Sequence, residues 1–551
     1  MAYQELQTCT DEIFKSRKIV DIDGTPLYET GFGSLLREII TRNDTGLLEQ
    51  YIAAWDLRTS GIPVTEMQSR DPFYTAVANG SLDVLRVLLD FHCDNPKSVS
   101  IGQRGFSLLN VACEHAQIEI VKYLLDSDPP LGNVYDKDPG GWTPIMSAAY
   151  STGALATAQR ARGEDLVNLL LDRGASARDS VPSTTNISTT GEAQRPSQAE
   201  FNVLSLAITG SSYGMVKRLL EHGSDVREPL CYYSDSLGFW DDGVGIRDVT
   251  VLHLGSRSWN TNGIRAVLDH GEHAGKGGAK GSGSGLIYSR DSMGRLPLHW
   301  AAAGGDRGLE RLRPESTLAD AITRTFGLLV PEDDKATAAE LINARDNKGA
   351  TPLHYAVSAH ARCGRQGSDH AYHTIQWLCS RGADASIIDC MGQSVLHRLA
   401  YWSLDGEPLD LRLLDLLLDH GAPLDHTDEN GETALHMRAR NLRQAAATQM
   451  LIERGAKVDM VNNKGNTPLH EAMRGALRPR VSWDGVRQDG ATLEDRIRAQ
   501  DEVVQMLLEV DGSIMDQSNI EGKSPRQLRE ETRQRWVELD TEAPLMGYTK
   551  H

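Results

Sequence analysis

Thr351-Pro352-Leu353-His354 sits within a 551-residue chain that repeats it closely at Leu296-Pro297-Leu298-His299 and at Thr467-Pro468-Leu469-His470. Looser copies are Thr250-Val251-Leu252-His253, Ser394-Val395-Leu396-His397 and Thr433-Ala434-Leu435-His436. A recurring string marks stacked repeats, so it outranks any isolated motif. Upstream of many copies stands Asp-x-x-Gly, at Asp138 to Gly141, Asp291 to Gly294, Asp346 to Gly349, Asp389 to Gly392 and Asp428 to Gly431. Downstream come small residues, an apolar stretch and a glycine. Leu166-Val167-Asn168-Leu169-Leu170-Leu171-Asp172-Arg173-Gly174-Ala175 shows that ending, as do Met215 to Asp225 and Leu413 to Asp425.

The physical chemistry is that of a helix pair. Proline suits the first helical position, where its missing N–H costs nothing. The preceding threonine or serine caps the helix. Leucines at helical spacing give the second helix a buried face. The glycine ends that helix in a left-handed conformation, and Asp-x-x-Gly turns the chain into the next pair.

These residues resemble ankyrin repeats. The resemblance implies an all-α solenoid of about twelve helix-turn-helix units, from the roughly 33-residue period of that family. It also implies that the motif histidine bonds neighbouring backbone and holds the turn. Taking the capping residue as marker, units open at Ser34, Asp71, Ser107, Thr143, Asn202 and Thr250, then at Leu296, Thr351, Ser394, Thr433, Thr467 and Ser524. The unit at Ser34 lacks the proline, and the second helix of the unit at Ser524 is degenerate. Long inserts between imperfect units are in the style of fungal ankyrin arrays.

The spacing divides the chain into an N-terminal extension (1–30), a first run of repeats (31–270), a Gly-rich flexible insert (271–290), a second run (291–535) and a tail (536–551). Inserts fall near 179–200 and 227–248 in the first run, and near 304–339 and 475–498 in the second. The stretch 179–200 is rich in Ser and Thr and reads as a disordered loop. Tyr232, Tyr233, Phe239 and Trp240 stand among acidic residues in 227–248. An extra helix is expected near Leu318 to Leu329.

Acidic residues outnumber basic ones by 76 to 57, a net charge of -19 that repels nucleic acid unless a basic patch overrides it. Only Arg474 to Arg487 approaches such a patch, and Asp484 interrupts it. Seven scattered cysteines do not make a disulfide framework, and they point to a reducing compartment, cytoplasmic or nuclear. Met1 to Val20 is polar and mixed, unlike a secretory leader. No segment holds the run of apolar residues that a membrane span needs.

Catalytic and metal motifs each have a plainer explanation. His354, His360, Cys363, His370, His373 and Cys379 crowd one unit and could supply zinc ligands. His354, however, belongs to the repeated tetrad, and Cys379 falls in a second helix. Gly210-Ser211-Ser212-Tyr213-Gly214 has the letters of a nucleophile elbow, but a helix rather than a strand precedes it. Gly275 to Gly281 is a linker and not a phosphate loop. No catalytic residue, cofactor or metal is expected.

What remains is the surface such an array makes. Ankyrin arrays resembling this one bind proteins through a concave groove of turn tips and first helices. In this chain the variable positions of those surfaces carry Trp142, Tyr150, Met293, Met391, Tyr401, Trp402 and Arg440. Aromatic, Met and Arg side chains are enriched at interface centres. Tyr401, Trp402, Met391 and Arg440 are expected to form one patch, with Trp402→Ala weakening partner binding by roughly tenfold. The expected function is therefore a monomeric, non-catalytic intracellular scaffold, adaptor or regulator that binds another protein. The alternative is an enzyme, or an accessory of a biosynthetic pathway, with a site built by the inserts between Arg227 and Ala339.

Overall fold

A computed structural model describes residues 18–28, 34–55, 57, 71–94, 105–154, 157–182, 199–232, 245–273, 284–304, 315–360, 368–402, 409–477 and 491–542. Each marker residue stands at or immediately before the start of a helix. The local cause is capping. Asp71 accepts the amides of Phe73 and Tyr74, Thr433 that of His436, and Thr467 that of His470.

The chain divides into two compact units: Met1–Cys231 with Arg265–His273, and Tyr232–Ile264 with Ala274–His551. In the first unit a hairpin of β1 (Lys18–Val20) and β2 (Pro26–Tyr28) precedes the helix pairs. The pairs are α1 (Ser34–Thr41) with α2 (Thr45–Ala54), α3 (Pro72–Asn79) with α4 (Leu82–Asp94), and α5 (Leu108–Glu114) with α6 (Ile118–Asp126). Next come α7 (Pro144–Ala154) with α8 (Thr157–Asp172) and α9 (Val203–Ala207) with α10 (Tyr213–Glu221). First helices stack in sequence, α1 on α3, α3 on α5, α5 on α7 and α7 on α9. Between α8 and α9 the chain extends as antiparallel strands β3 (Ser180–Pro182) and β4 (Ala199–Asn202). Leu230 of β5 (Leu230–Tyr232) pairs with Ala199 of β4.

The second unit opens with β6 (Ile246–Val249) and α11 (Val251–Arg257); α12 (Thr261–His273) is divided between the units at Ile264. Its remaining helices are α13 (Pro297–Ala302), α14 (Glu315–Leu329), α15 (Lys335–Ile342), α16 (Pro352–His360), α17 (Ser368–Ser380), α18 (Val395–Trp402), α19 (Leu411–Asp419), α20 (Ala434–Arg440), α21 (Ala445–Glu453), α22 (Pro468–Met473), α23 (Leu493–Val510) and α24 (Pro525–Glu542). One layer runs α11, α13, α16, α18, α20, α22, α24; the other runs α14, α17, α19, α21, α23.

Three details depart from the sequence reading. The helix expected as an extra near Leu318 packs against α13 and α17, which is the place of a second helix, and α15 is the addition. The segment read as an extension contains the β1–β2 hairpin. The last helix continues to Glu542, past the expected end of the array at residue 535.

In the second unit the turns lock to one another through backbone. Each tip donates one amide to a carbonyl of the tip before it: Asn347 to Met293, Cys390 to Lys348, Glu429 to Met391, Asn463 to Asn430 and Ile520 to Lys464. Inside each turn the leading side chain holds the loop. Asp291 Oδ1 accepts the amides of Met293 and Arg295, and Asp346, Asp389, Asp428 and Asn462 repeat the arrangement.

The motif histidines join one pair to the next. His253 Nδ1 accepts the Thr250 amide while its Nε2 faces the Arg295 carbonyl at 3.1 Å. His299, His397 and His436 repeat this toward the carbonyls of Ala350, Glu432 and Asn466. An imidazole that accepts at one nitrogen and donates from the other is neutral. Burial pushes His253 down to about 4 and His299 to about 3. In the first unit the same position holds Tyr74, Asn110, Met146 and Ser205. Asn110 does the work of a histidine there, donating through Nδ2 to the Trp142 carbonyl at 2.8 Å.

Candidate partner-binding surface

Tips and first helices of the first unit carry a strip of rings. Phe106, Trp142 and Phe201 each stand immediately before a capping residue, Ser107, Thr143 and Asn202. The same place in three consecutive, stacked pairs is thus aromatic. Trp142 meets Tyr150 edge-to-face at 5.8 Å between ring centroids, and Phe201 at 5.5 Å. Tyr74 meets Phe106 edge-to-face at 5.6 Å and approaches His115 Nε2 through its hydroxyl at 3.4 Å. Burial and the nearby Glu114 carboxylate both raise the Tyr74 phenol above its ordinary pKa. Phe106 is buried, Trp142 and Phe201 half-buried, and Tyr150 is 44% exposed. Of the seven side chains expected at an interface, Trp142 and Tyr150 are therefore in direct contact. Phe201 and Phe106 were missed, although their shared register before the cap was readable.

The other five lie in the second unit. Met293 and Met391 are half-buried at their tips, and their carbonyls are the ones that accept from the next tip. Tyr401, near the end of α18, is 50% exposed. The Trp402 side chain lies outside the described residues, and with it the patch of four as a whole. Arg440, at the position in α20 that matches Tyr401, is engaged within the chain. It donates through Nε to Glu471 at 2.8 Å and also pairs with Glu432. Asn462 and Asn466 hold the other Glu471 oxygen at 3.1 and 2.9 Å.

An open cavity of about 580 Å³ in the first unit is lined by Ala177, Arg178, Asn202, Gly223, Ser224, Asp225 and Glu228. Its polar groups serve each other. Asn202 Nδ2 donates to Glu228 at 2.6 Å, Arg178 Nε to the Gly223 carbonyl at 2.8 Å, and Ser224 to the Ala177 carbonyl at 2.7 Å. Among the described residues no three His, Cys, Asp or Glu side chains are placed to hold a metal ion. Of the crowded histidines and cysteines in the unit at Thr351, Cys363 and the side chains of His360 and His370 lie outside the described residues. His354 is buried in its tetrad, and burial pushes the Cys379 thiol up to about 12. No described helix is long and apolar enough to cross a membrane.

A family model described as ankyrin repeats in three copies matches residues 43–133, 73–180 and 407–478, and one for a single ankyrin repeat matches 348–390. The chain is an ankyrin-repeat protein. Among solved structures, the ankyrin repeat domain of Bcl-3, titled a unique member of the IkappaB protein family, is similar at 18% identity and a TM-score of 0.31. That match covers 58% of this ankyrin-repeat chain and 100% of the other. Its repeats make the ankyrin-repeat protein described here a protein–protein interaction module.

Proposed function

We propose that this chain is a non-catalytic intracellular scaffold or adaptor, acting as a single chain in the cytoplasm or nucleus. Partner contact falls on the tips and first helices. The carrying observation is the half-exposed ring cluster of Trp142, Tyr150 and Phe201 on that face of the first unit. Rigid aromatic side chains supply contact area at little cost in conformational entropy, which is why they concentrate binding energy. Tyr401, exposed at the equivalent surface of the second unit, offers a second anchor.

The test is affinity capture on the full chain followed by cross-linking of the recovered complex. Cross-links should concentrate on tips and first helices, and Trp142→Ala or Tyr401→Ala should weaken the complex about tenfold with the fold intact. Cross-links confined to the second helices, with both variants binding normally, would sink the reading.

A further inference from the structure

Resting on that reading of the chain as a protein-binding module, we infer that Asp138, Trp142, Tyr150 and Phe201 form a subsite for a cationic side chain, and that the partner of the first unit presents a basic segment.

The argument starts from a difference between turns. In the second unit the tip carboxylates are spent on both oxygens. Asp291 Oδ1 takes two amides, while its Oδ2 takes Arg295 Nε at 2.7 Å and Trp300 Nε1 at 2.9 Å. Asp346 Oδ2 accepts from Tyr355 at 2.7 Å, and Asp389 Oδ2 is paired with the buried guanidinium of Arg398. These charges are internal to the fold. Asp138 is the corresponding residue of the first unit's turn. Its Oδ1 accepts the Trp142 amide at 2.8 Å. Among the described residues its second oxygen has no donor and no cation pairs with it. Nine positions on, where Trp300, Tyr355 and Arg398 reach back in the other turns, stands the short Ser147, which is occupied with Asn110.

The carboxylate lies beside rings. A methyl built on Gly140 would sit 3.3 Å from Asp138 Oδ1 and 3.5 Å from Cδ1 of Trp142, so one small group touches both. Tyr150 and Phe201 flank the same indole. An uncompensated carboxylate next to aromatic faces attracts an ammonium or a guanidinium, by charge and by the negative face of the ring together. Glu114, exposed and close to Tyr74 one pair earlier, extends the negative charge along the strip. The net charge of -19 favours approach of a basic segment over an acidic one.

The experiment uses the full chain and three fluorescein-labelled dodecapeptides, alternating alanine with arginine, lysine or glutamate, read by anisotropy near physiological salt. The arginine and lysine peptides should bind saturably and the glutamate peptide should not. Trp142→Ala should weaken the basic peptides about tenfold and Asp138→Asn about fivefold, whereas Val510→Ala, at the exposed end of α23 in the second unit, should leave them unchanged. Asp138→Asn keeps an oxygen for the Trp142 amide, so a melting curve like that of the parent separates lost charge from lost fold. Equal binding of basic peptides to every variant would reduce the effect to diffuse attraction by an acidic chain and overturn the subsite. Failure of the basic peptides to bind, or equal binding of the glutamate peptide, would overturn it too. In either case a complex recovered by affinity capture and cross-linked through tips and first helices would leave the module reading standing.

Discussion

A single carboxylate can hold a turn and neutralise a buried cation at once, and Asp389 does both. Its Oδ1 accepts the amides of Met391 and Gln393 at 2.8 Å, and its Oδ2 pairs with Arg398, whose side chain is 4% exposed. Removing one partner of a buried pair strands the other, which costs more than the pair contributes while intact. Asp389→Ala should therefore destabilise the second unit by about 3–5 kcal/mol in denaturant unfolding. Asp389→Asn should cost less, because an amide carbonyl still accepts from the two backbone donors. Equal losses for the two variants would show that the charge matters and the turn does not. At this scale the sequence was partly legible. The Asp-x-x-Gly spacing announced the turn, but nothing in one repeat tells which distant side chain completes the acid. Trp300, Tyr355 and Arg398 occupy the same register and differ in chemistry, so only the folded arrangement shows the shared role.

Between neighbouring elements, the tips pack as closely as their backbones allow. Gly431 has a φ of +72°, and a Cβ there would lie 2.9 Å from the Asn463 amide nitrogen, on the bond that joins its tip to the next. Gly421, after α19, has a φ of +85° with nothing within 4 Å of a built Cβ. Gly421→Ala should cost only the left-handed conformation, about 1 kcal/mol. Gly431→Ala adds a collision with backbone that cannot rotate away, for a loss of about 2–4 kcal/mol. Chemical denaturation of the two variants side by side measures the difference, and equal losses would mean that tip-to-tip packing contributes nothing. Helix starts were the best-read elements, because cap, proline and apolar run coincide at one place in the chain. The strands β3 to β6 were missed, since three or four residues carry too short an alternation to stand out beside an insert. The aromatic strip was half seen. Trp142 and Tyr150 were found one residue at a time, and Phe201 was hidden next to an insert whose length broke the period.

Across the whole chain, the two compact units differ in one titratable group repeated many times. Motif histidines occur at 253, 299, 354, 397, 436 and 470, all in the second unit, and all are held below their ordinary pKa chiefly by burial. Asp291 pulls His253 and His299 the other way, and Arg295 opposes it; burial, acting in the same direction as Arg295, outweighs Asp291. A histidine whose folded pKa is depressed binds more protons unfolded than folded. Its contribution is intact above about 6.5 and is lost as pH falls toward its folded value, near 4 for His253 and His354. Each such group removes roughly 1.4 kcal/mol per pH unit inside that window. Calorimetry between pH 7.5 and pH 5 should therefore show the melting of the second unit falling steeply, while the first unit, with Tyr74, Asn110, Met146 and Ser205 in those places, shifts far less. His299→Asn, which copies the residue found at Asn110, should flatten part of the dependence. Parallel shifts in both units would contradict the account.

The tips of the second unit are joined in series by backbone bonds, and the lengths of chain between them are unequal. The Asp428 and Asn462 turns are close in sequence, whereas Asn462 and Asn519 are separated by the longest stretch in that series. Under a steady pull each junction holds until its own bonds shear, and it then releases the slack stored behind it. The second unit is in this sense a graduated spring: its extension record would be a string of unequal steps, each length naming the repeat that let go.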